Sequence, residues 1–149
     1  MKKILCSACL LGLNCRYDGK CKPNRKVLDL AKKVRLVPVC PEQLGGQSTP
    51  RPNAEIIKGE GDDVLKGRAE VKEFSGKNVT KYFIAGAKEV LKLSKLLGAR
   101  EAILKQGSPS CGCGLTYDGT FSGHKIKGDG VTAALLKRNG IKVISEEDF

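Results

Sequence analysis

Apolar positions along the chain gather into four short runs separated by longer amphipathic or loop-like stretches. The first run, Lys3 to Ala8, is followed by a glycine-containing loop, the pattern of a buried strand. Loop chemistry continues from Leu11 through Pro23. Asn24 then caps a helix predicted over Arg25 to Lys33, with Val27, Leu28, Leu30 and Ala31 as its apolar face. A second strand, Val34 to Val39, ends at Cys40-Pro41. The Gly/Pro-rich loop Pro41 to Pro52 leads into a polar stretch through Gly76, whose strand-like pieces near Val64 and Val71 predict a small hairpin insertion. From Val79 to Leu97 apolar residues recur at helical spacing, and Gly98 stands where a C-terminal glycine cap belongs. Arg100 to Leu104 reads as a third strand and Lys105 to Gly114 as a loop. Asp129 to Asn139 reads as a helix closed by Gly140, and Ile141 to Ile144 as the last strand.

Strands alternating with helices predict an α/β fold, a mostly parallel Rossmann-like sheet flanked by helices on both faces. At 149 residues the chain suits one domain with a core that needs no disulfide staples. Neither an internal repeat nor a low-complexity segment interrupts it.

Seven cysteines change this picture from generic to chemical. The count is odd, so any disulfide scheme leaves a free thiol, which argues against a secreted framework. Met1-Lys2-Lys3 and the apolar residues after it superficially resemble a leader peptide. The basic region is minimal, however, Cys6, Ser7 and Cys9 interrupt the apolar run, and Asn14 precedes Cys15 where a small residue belongs. No stretch approaches the roughly 20 apolar residues of a membrane span. A cytoplasmic protein is expected, where cysteine clusters mean metal or catalysis. Lys and Arg total 27 against 16 Asp and Glu, a net charge of +11. Such a field favours anionic partners, but the basic residues are scattered rather than gathered into one RNA-binding run.

Cys9, Cys40 and Cys111 each lie just after a predicted strand. In a parallel sheet those loops share one edge, the edge at which α/β proteins bind ligands, so three thiols distant in sequence converge. Which metal they take stays open on the residues alone. Zinc needs closely spaced ligand pairs, and Cys6-x-x-Cys9 and Cys111-x-Cys113 supply them. A [4Fe–4S] cluster offered three thiolates keeps one iron open, a Lewis acid with affinity for sulfur. A thiol-redox role fits poorly, because Cys6-x-x-Cys9 starts within a strand instead of at a helix. Glu42, two residues after Cys40, belongs to the same crevice as a candidate general acid/base. Ser108 and Ser110 flank Pro109 and can donate hydrogen bonds there. Arg16, Arg51 and Lys105 suit substrate contact and loop anchoring equally well.

Six ordered motifs together resemble the thiouracil desulfidase family, long known only as a bacterial and archaeal domain of unknown function. They are Ser7-Ala8-Cys9-Leu10-Leu11-Gly12, Arg16-Tyr17-Asp18-Gly19, Val39-Cys40-Pro41-Glu42, Ser108-Pro109-Ser110-Cys111-Gly112, Tyr117-Asp118-Gly119 and Gly128-Asp129-Gly130-Val131-Thr132-Ala133. The resemblance runs from about Lys3 to Ser145. It implies a [4Fe–4S] cluster held by Cys9, Cys40 and Cys111, whose fourth iron takes the thiocarbonyl sulfur of a thiolated base. Water would replace that sulfur at the ring carbon and hydrosulfide would leave, with no net redox change. Glu42 and Ser108 match the family's acid/base groups. Cys21 and Cys113 stand where the resemblance leads one to expect serine or another small residue, Cys6 looks optional, and Cys15 is common in the first loop without being a ligand. Related longer proteins carry a further domain and act on 4-thiouridine in tRNA. The length here leaves no room for it, so free thiouracil or a similar base is the expected substrate, with RNA-linked substrates a minor option. The competing reading from another class is a non-catalytic zinc module that binds RNA through the basic surface.

Overall fold

The computed structural model describes all 149 residues. In chain order it contains β1 (Lys3–Ser7), α1 (Arg25–Leu30), β2 (Arg35–Val39), α2 (Pro41–Leu44), β3 (Ala54–Ile57), α3 (Gly61–Leu65), β4 (Glu70–Glu73), α4 (Thr80–Leu97), β5 (Glu101–Leu104), β6 (Leu115–Tyr117), β7 (Lys125–Lys127), α5 (Val131–Arg138) and β8 (Lys142–Ser145). Single 3-10 turns follow β1 at Ala8–Leu11 and β8 at Glu146–Asp148. Strands β2, β1, β5 and β8 form a parallel sheet in that order. The chain leaves β1 toward β2 on one side and returns to β5 on the other, so the β1/β5 junction is a topological switch point.

Period-two alternation in β1 explains why helices cover both faces. Ile4 and Cys6 pack with Leu10, Val27 and Ile103 on the α1 face, whereas Leu5 packs with Val90, Ala102, Leu104 and Leu136 beneath α4 and α5. Asn24 caps α1 as the sequence predicts, its Oδ1 accepting from the Val27 amide at 3.1 Å. Helix α4 buries Phe83, Ala87, Val90 and Ser94, one face at i, i+4, i+7 and i+11. It ends at Gly98 with φ 66°, the left-handed cap that only glycine adopts freely. A third apolar cluster fastens the β3–β4 hairpin and α3 to α4 through Ile56, Val64, Val71, Phe83 and Val131. No helix is long and apolar enough to cross a membrane.

Three local predictions need correction. Val64 lies in α3, not in a strand: Asp63 reaches back to accept the Glu60 amide at 3.0 Å, and this carboxylate cap starts a helical turn. The first strand of the insertion is instead Ala54–Ile57, paired antiparallel with Glu70–Glu73. The loop after Cys40 opens with helix α2, where Pro41 occupies the first turn, a position that tolerates its missing N–H. Lastly, β6 and β7 form an antiparallel hairpin that the pattern does not announce, because only Thr116 of its six strand residues is buried.

Helix α2 matters because it carries Glu42. It touches α4 backbone to backbone: a Cβ on Gly86 would run into the Pro41 carbonyl, and one on Gly45 into the Tyr82 carbonyl. These two glycines let the Cys40-Pro41-Glu42 segment approach the sheet edge this closely.

Candidate active site

A cavity of about 470 Å³ opens at the switch-point edge of the sheet. Cys9 reaches it from the 3-10 turn after β1, Cys40 from the end of β2, and Cys111 from the loop after β5. The convergence expected from strand order is therefore present. Cys9 and Cys111 are buried and Cys40 is half-buried. Cys15 also lines the cavity, whereas Cys6, Cys21 and Cys113 do not. Cys6 points into the α1 face, and the Cys113 thiol donates to the Val143 carbonyl at 3.4 Å.

Their surroundings favour the protonated thiol at Cys15, Cys40 and Cys111. Burial pushes Cys111 up to about 12, only partly opposed by hydrogen bonds from Ser7 and Ser110. A hydrogen bond with Cys15 raises Cys40, and burial adds to it. At Cys15 the bond with Cys40 favours the thiolate, but the bond with Cys9 and burial outweigh it and push the thiol up to about 11. A metal binding here displaces protons, as thiolate ligation requires.

Glu42 is not a loose loop carboxylate. Its Oε2 accepts from Arg51 Nε at 2.6 Å, with the Arg51 side chain only 5% exposed and that of Glu42 15%. The rest of the guanidinium is equally occupied. Nη1 donates to the Ser48 carbonyl at 3.1 Å and to Thr49 Oγ1 at 3.0 Å, and Nη2 donates to the Cys15 carbonyl at 2.9 Å. Arg51 thus resolves as an anchor: it fixes Glu42 and the Cys15 loop against each other. Lys105 is also an anchor, paired with Glu146 at 2.9 Å. Arg16 differs, because its buried Nε has no hydrogen-bond partner and lies 3.7 Å from Asp18, while the residue lines the cavity.

The two loop serines part company. Ser110 is buried and shares a 3.0 Å hydrogen bond with Thr132 on α5, a structural role. Ser108 lines the cavity, and its Oγ accepts from the Ser110 and Cys111 amides, both at 3.0 Å. With its acceptor capacity occupied, its one proton is left to donate. Gly112 permits the tight turn beyond Cys111, since a Cβ there would run into the Leu115 carbonyl.

This donor set suits a soft, thiophilic centre, since three or four thiols face one cavity.

Residues 4–148 match the 2-thiouracil desulfurase family. The chain belongs to that family. The uncharacterized protein YbbK of Bacillus subtilis (strain 168) is 51% identical over 146 residues, covering 98% of this chain and 97% of that protein. Among solved structures, the [4Fe-4S]-dependent thiouracil desulfidase TudS superposes with a TM-score of 0.87 at 43% identity, covering 100% of this chain and 93% of that one. The parallel sheet flanked by helices is thus the fold of a 2-thiouracil desulfurase family member.

Against the sequence reading, the cavity of this family member gathers Cys9, Cys40, Cys111, Glu42 and Ser108 as expected, and adds Cys15, Ser7 and Glu55. Ser7 was legible only as part of a motif. Its Oγ accepts from the Lys105 amide at 2.9 Å across the β1/β5 junction, a contact between residues 98 positions apart. Glu55 carried no sequence signal, because it sits in a strand that periodicity did not reveal.

Proposed function

We propose that this protein is a [4Fe–4S]-dependent desulfidase that converts thiouracil or a similar thiolated base into the oxo base and hydrosulfide. The observation that carries the reading is the meeting of Cys9, Cys40 and Cys111 at one cavity in a chain of the 2-thiouracil desulfurase family. These three residues are the proposed cluster ligands. The cluster supplies a thiophilic Lewis acid, because three thiolates leave one iron open. The carbon–sulfur bond breaks, a carbon–oxygen bond forms, and water provides the oxygen and both protons, so no electrons are exchanged.

The chain's own groups handle position and protons. Glu42, paired with Arg51, is a fixed acceptor for the proton that water loses on attack. Ser108 donates into the cavity, where negative charge builds on the ring substituent.

Protein reconstituted without oxygen is expected to absorb broadly in the visible and to release sulfide and uracil in equal amounts from thiouracil. An intact cluster with no sulfide release would sink the reading, and stoichiometric zinc without iron would favour the zinc module. Glu42→Gln keeps an oxygen for Arg51 Nε and removes the basic carboxylate. It should retain cluster and fold while turnover falls by about 100-fold or more. Unchanged turnover removes Glu42 from the mechanism.

A second reading of the substrate has its own observation. Arg16, Lys22 and Lys125 line the cavity, and neither lysine has a carboxylate partner. Such a rim favours a thiolated base that carries phosphate. The same sulfide assay on the free base and its nucleotide, at low and high salt, decides between them.

A further inference from the structure

Glu55 is a carboxylate 4% exposed, with no Lys or Arg within ion-pair distance, in the wall of the cavity. Buried charge without a cation is costly unless hydrogen bonds replace the lost water. Only one of its oxygens is so replaced. Oε1 accepts from the Gly119 amide at 3.0 Å and from the Phe121 amide at 3.2 Å. Oε2 has no hydrogen-bond partner and keeps some accessible surface.

The two amides belong to the β6–β7 loop, which Glu55 pins onto β3. Phe121 adopts φ 56°, a conformation unusual for a bulky residue, with its ring edge-on to Phe74 at 5.5 Å. Phe121 also lines the cavity. The loop is thus held at some conformational cost, so that a carboxylate with one free acceptor and an aromatic wall line the same cavity as the proposed ligands.

Resting on the desulfidase reading, we propose that Glu55 recognises the substrate by accepting a hydrogen bond from the ring N–H that flanks the thiocarbonyl. In 4-thiouracil N3–H alone has that position, whereas in 2-thiouracil N1–H shares it. Glu42 is committed to accepting the proton of the attacking water and Ser108 is a donor, so Glu55 Oε2 is the carboxylate oxygen left for the ring N–H. A donor-bearing ring satisfies it, whereas a ring methylated at N3 leaves the carboxylate buried and unpaired.

The test compares 4-thiouracil with N3-methyl-4-thiouracil on the reconstituted holoenzyme, in wild type and in Glu55→Gln. The glutamine carbonyl keeps the Gly119 and Phe121 amides and turns its NH₂ toward the cavity, donor against donor. Wild type should prefer the unmethylated base by about 10- to 100-fold in kcat/KM, the scale of a hydrogen bond to a charged group. Glu55→Gln should lose that preference by lowering activity on the unmethylated base alone. Equilibrium dialysis of uracil and N3-methyluracil against the holoprotein should show the same Glu55-dependent preference. If wild type processes both bases alike, or if folded Glu55→Gln keeps the wild-type preference, the inference is overturned while the desulfidase reading stands. If no sulfide is released but dialysis still shows the preference, recognition by Glu55 stands and the desulfidase reading falls.

Discussion

Alanine at Cys9, Cys40 or Cys111 is expected to abolish cluster assembly and sulfide release together. Each thiol comes from a different loop of the sheet edge, and no two share a segment that could compensate for the other. The loss should reach well beyond the ~10- to 100-fold that removal of an outer hydrogen-bond partner costs a metal site. Iron and acid-labile sulfide per chain, measured after anaerobic reconstitution, report assembly directly and do not depend on substrate. Cys15→Ala is the informative companion, because Cys15 lines the same cavity and bonds with both Cys9 and Cys40. It should retain iron. If Cys15→Ala loses the cluster while one of the other three variants keeps it, the ligand set must be redrawn. Cys6, Cys21 and Cys113, outside the cavity, serve as controls that should bind iron as wild type does.

What could be read from sequence followed the strength of the local signal. The four parallel strands and α4 were legible because β1 and β5 are buried on both faces, the edge strands β2 and β8 carry short apolar runs, and Phe83, Ala87 and Val90 form a stripe on α4. Strand order then placed Cys9, Cys40 and Cys111 at one edge without any knowledge of side-chain geometry. The elements that shape the cavity's outer wall were not legible. Strands β6 and β7 are three residues each and mostly exposed, so their pairing is decided by tertiary contacts such as Glu55 with the Gly119 and Phe121 amides. Val64 misled for a related reason. A two-residue apolar pair, Val64-Leu65, between charged neighbours reads equally as strand or helix, and the Asp63 cap tips it to helix. Arg51 was ambiguous because an arginine in a Gly/Pro-rich loop reveals its role only through partners nine and thirty-six residues away.

Those partners make Arg51→Met the substitution with the largest expected cost to the fold. Methionine fills much of the space but withdraws every donor, leaving the Glu42 carboxylate, the Cys15 and Ser48 carbonyls and Thr49 Oγ1 without a shared cation. Breaking a buried pair by removing one partner typically costs about 3–5 kcal/mol, since the remaining charge stays desolvated. For a chain of this length that corresponds to a fall in Tm of roughly 10 °C, with urea unfolding giving the free energy itself. Activity should fall too, even at temperatures where the variant is folded, because Glu42 and the Cys15 loop lose their common reference point. Pairing Arg51→Met with Glu42→Gln separates the two causes. If the penalty is the stranded carboxylate, the double variant recovers part of the stability lost in Arg51→Met alone, a coupling on the order of 1–3 kcal/mol. If instead the penalty comes from the three backbone and hydroxyl acceptors, the double variant is no more stable than the single one. Arg51→Met within about 1 kcal/mol of wild type would show that the pair is dispensable to the fold, and that Glu42 is placed by α2 packing on Gly86 and Tyr82 alone.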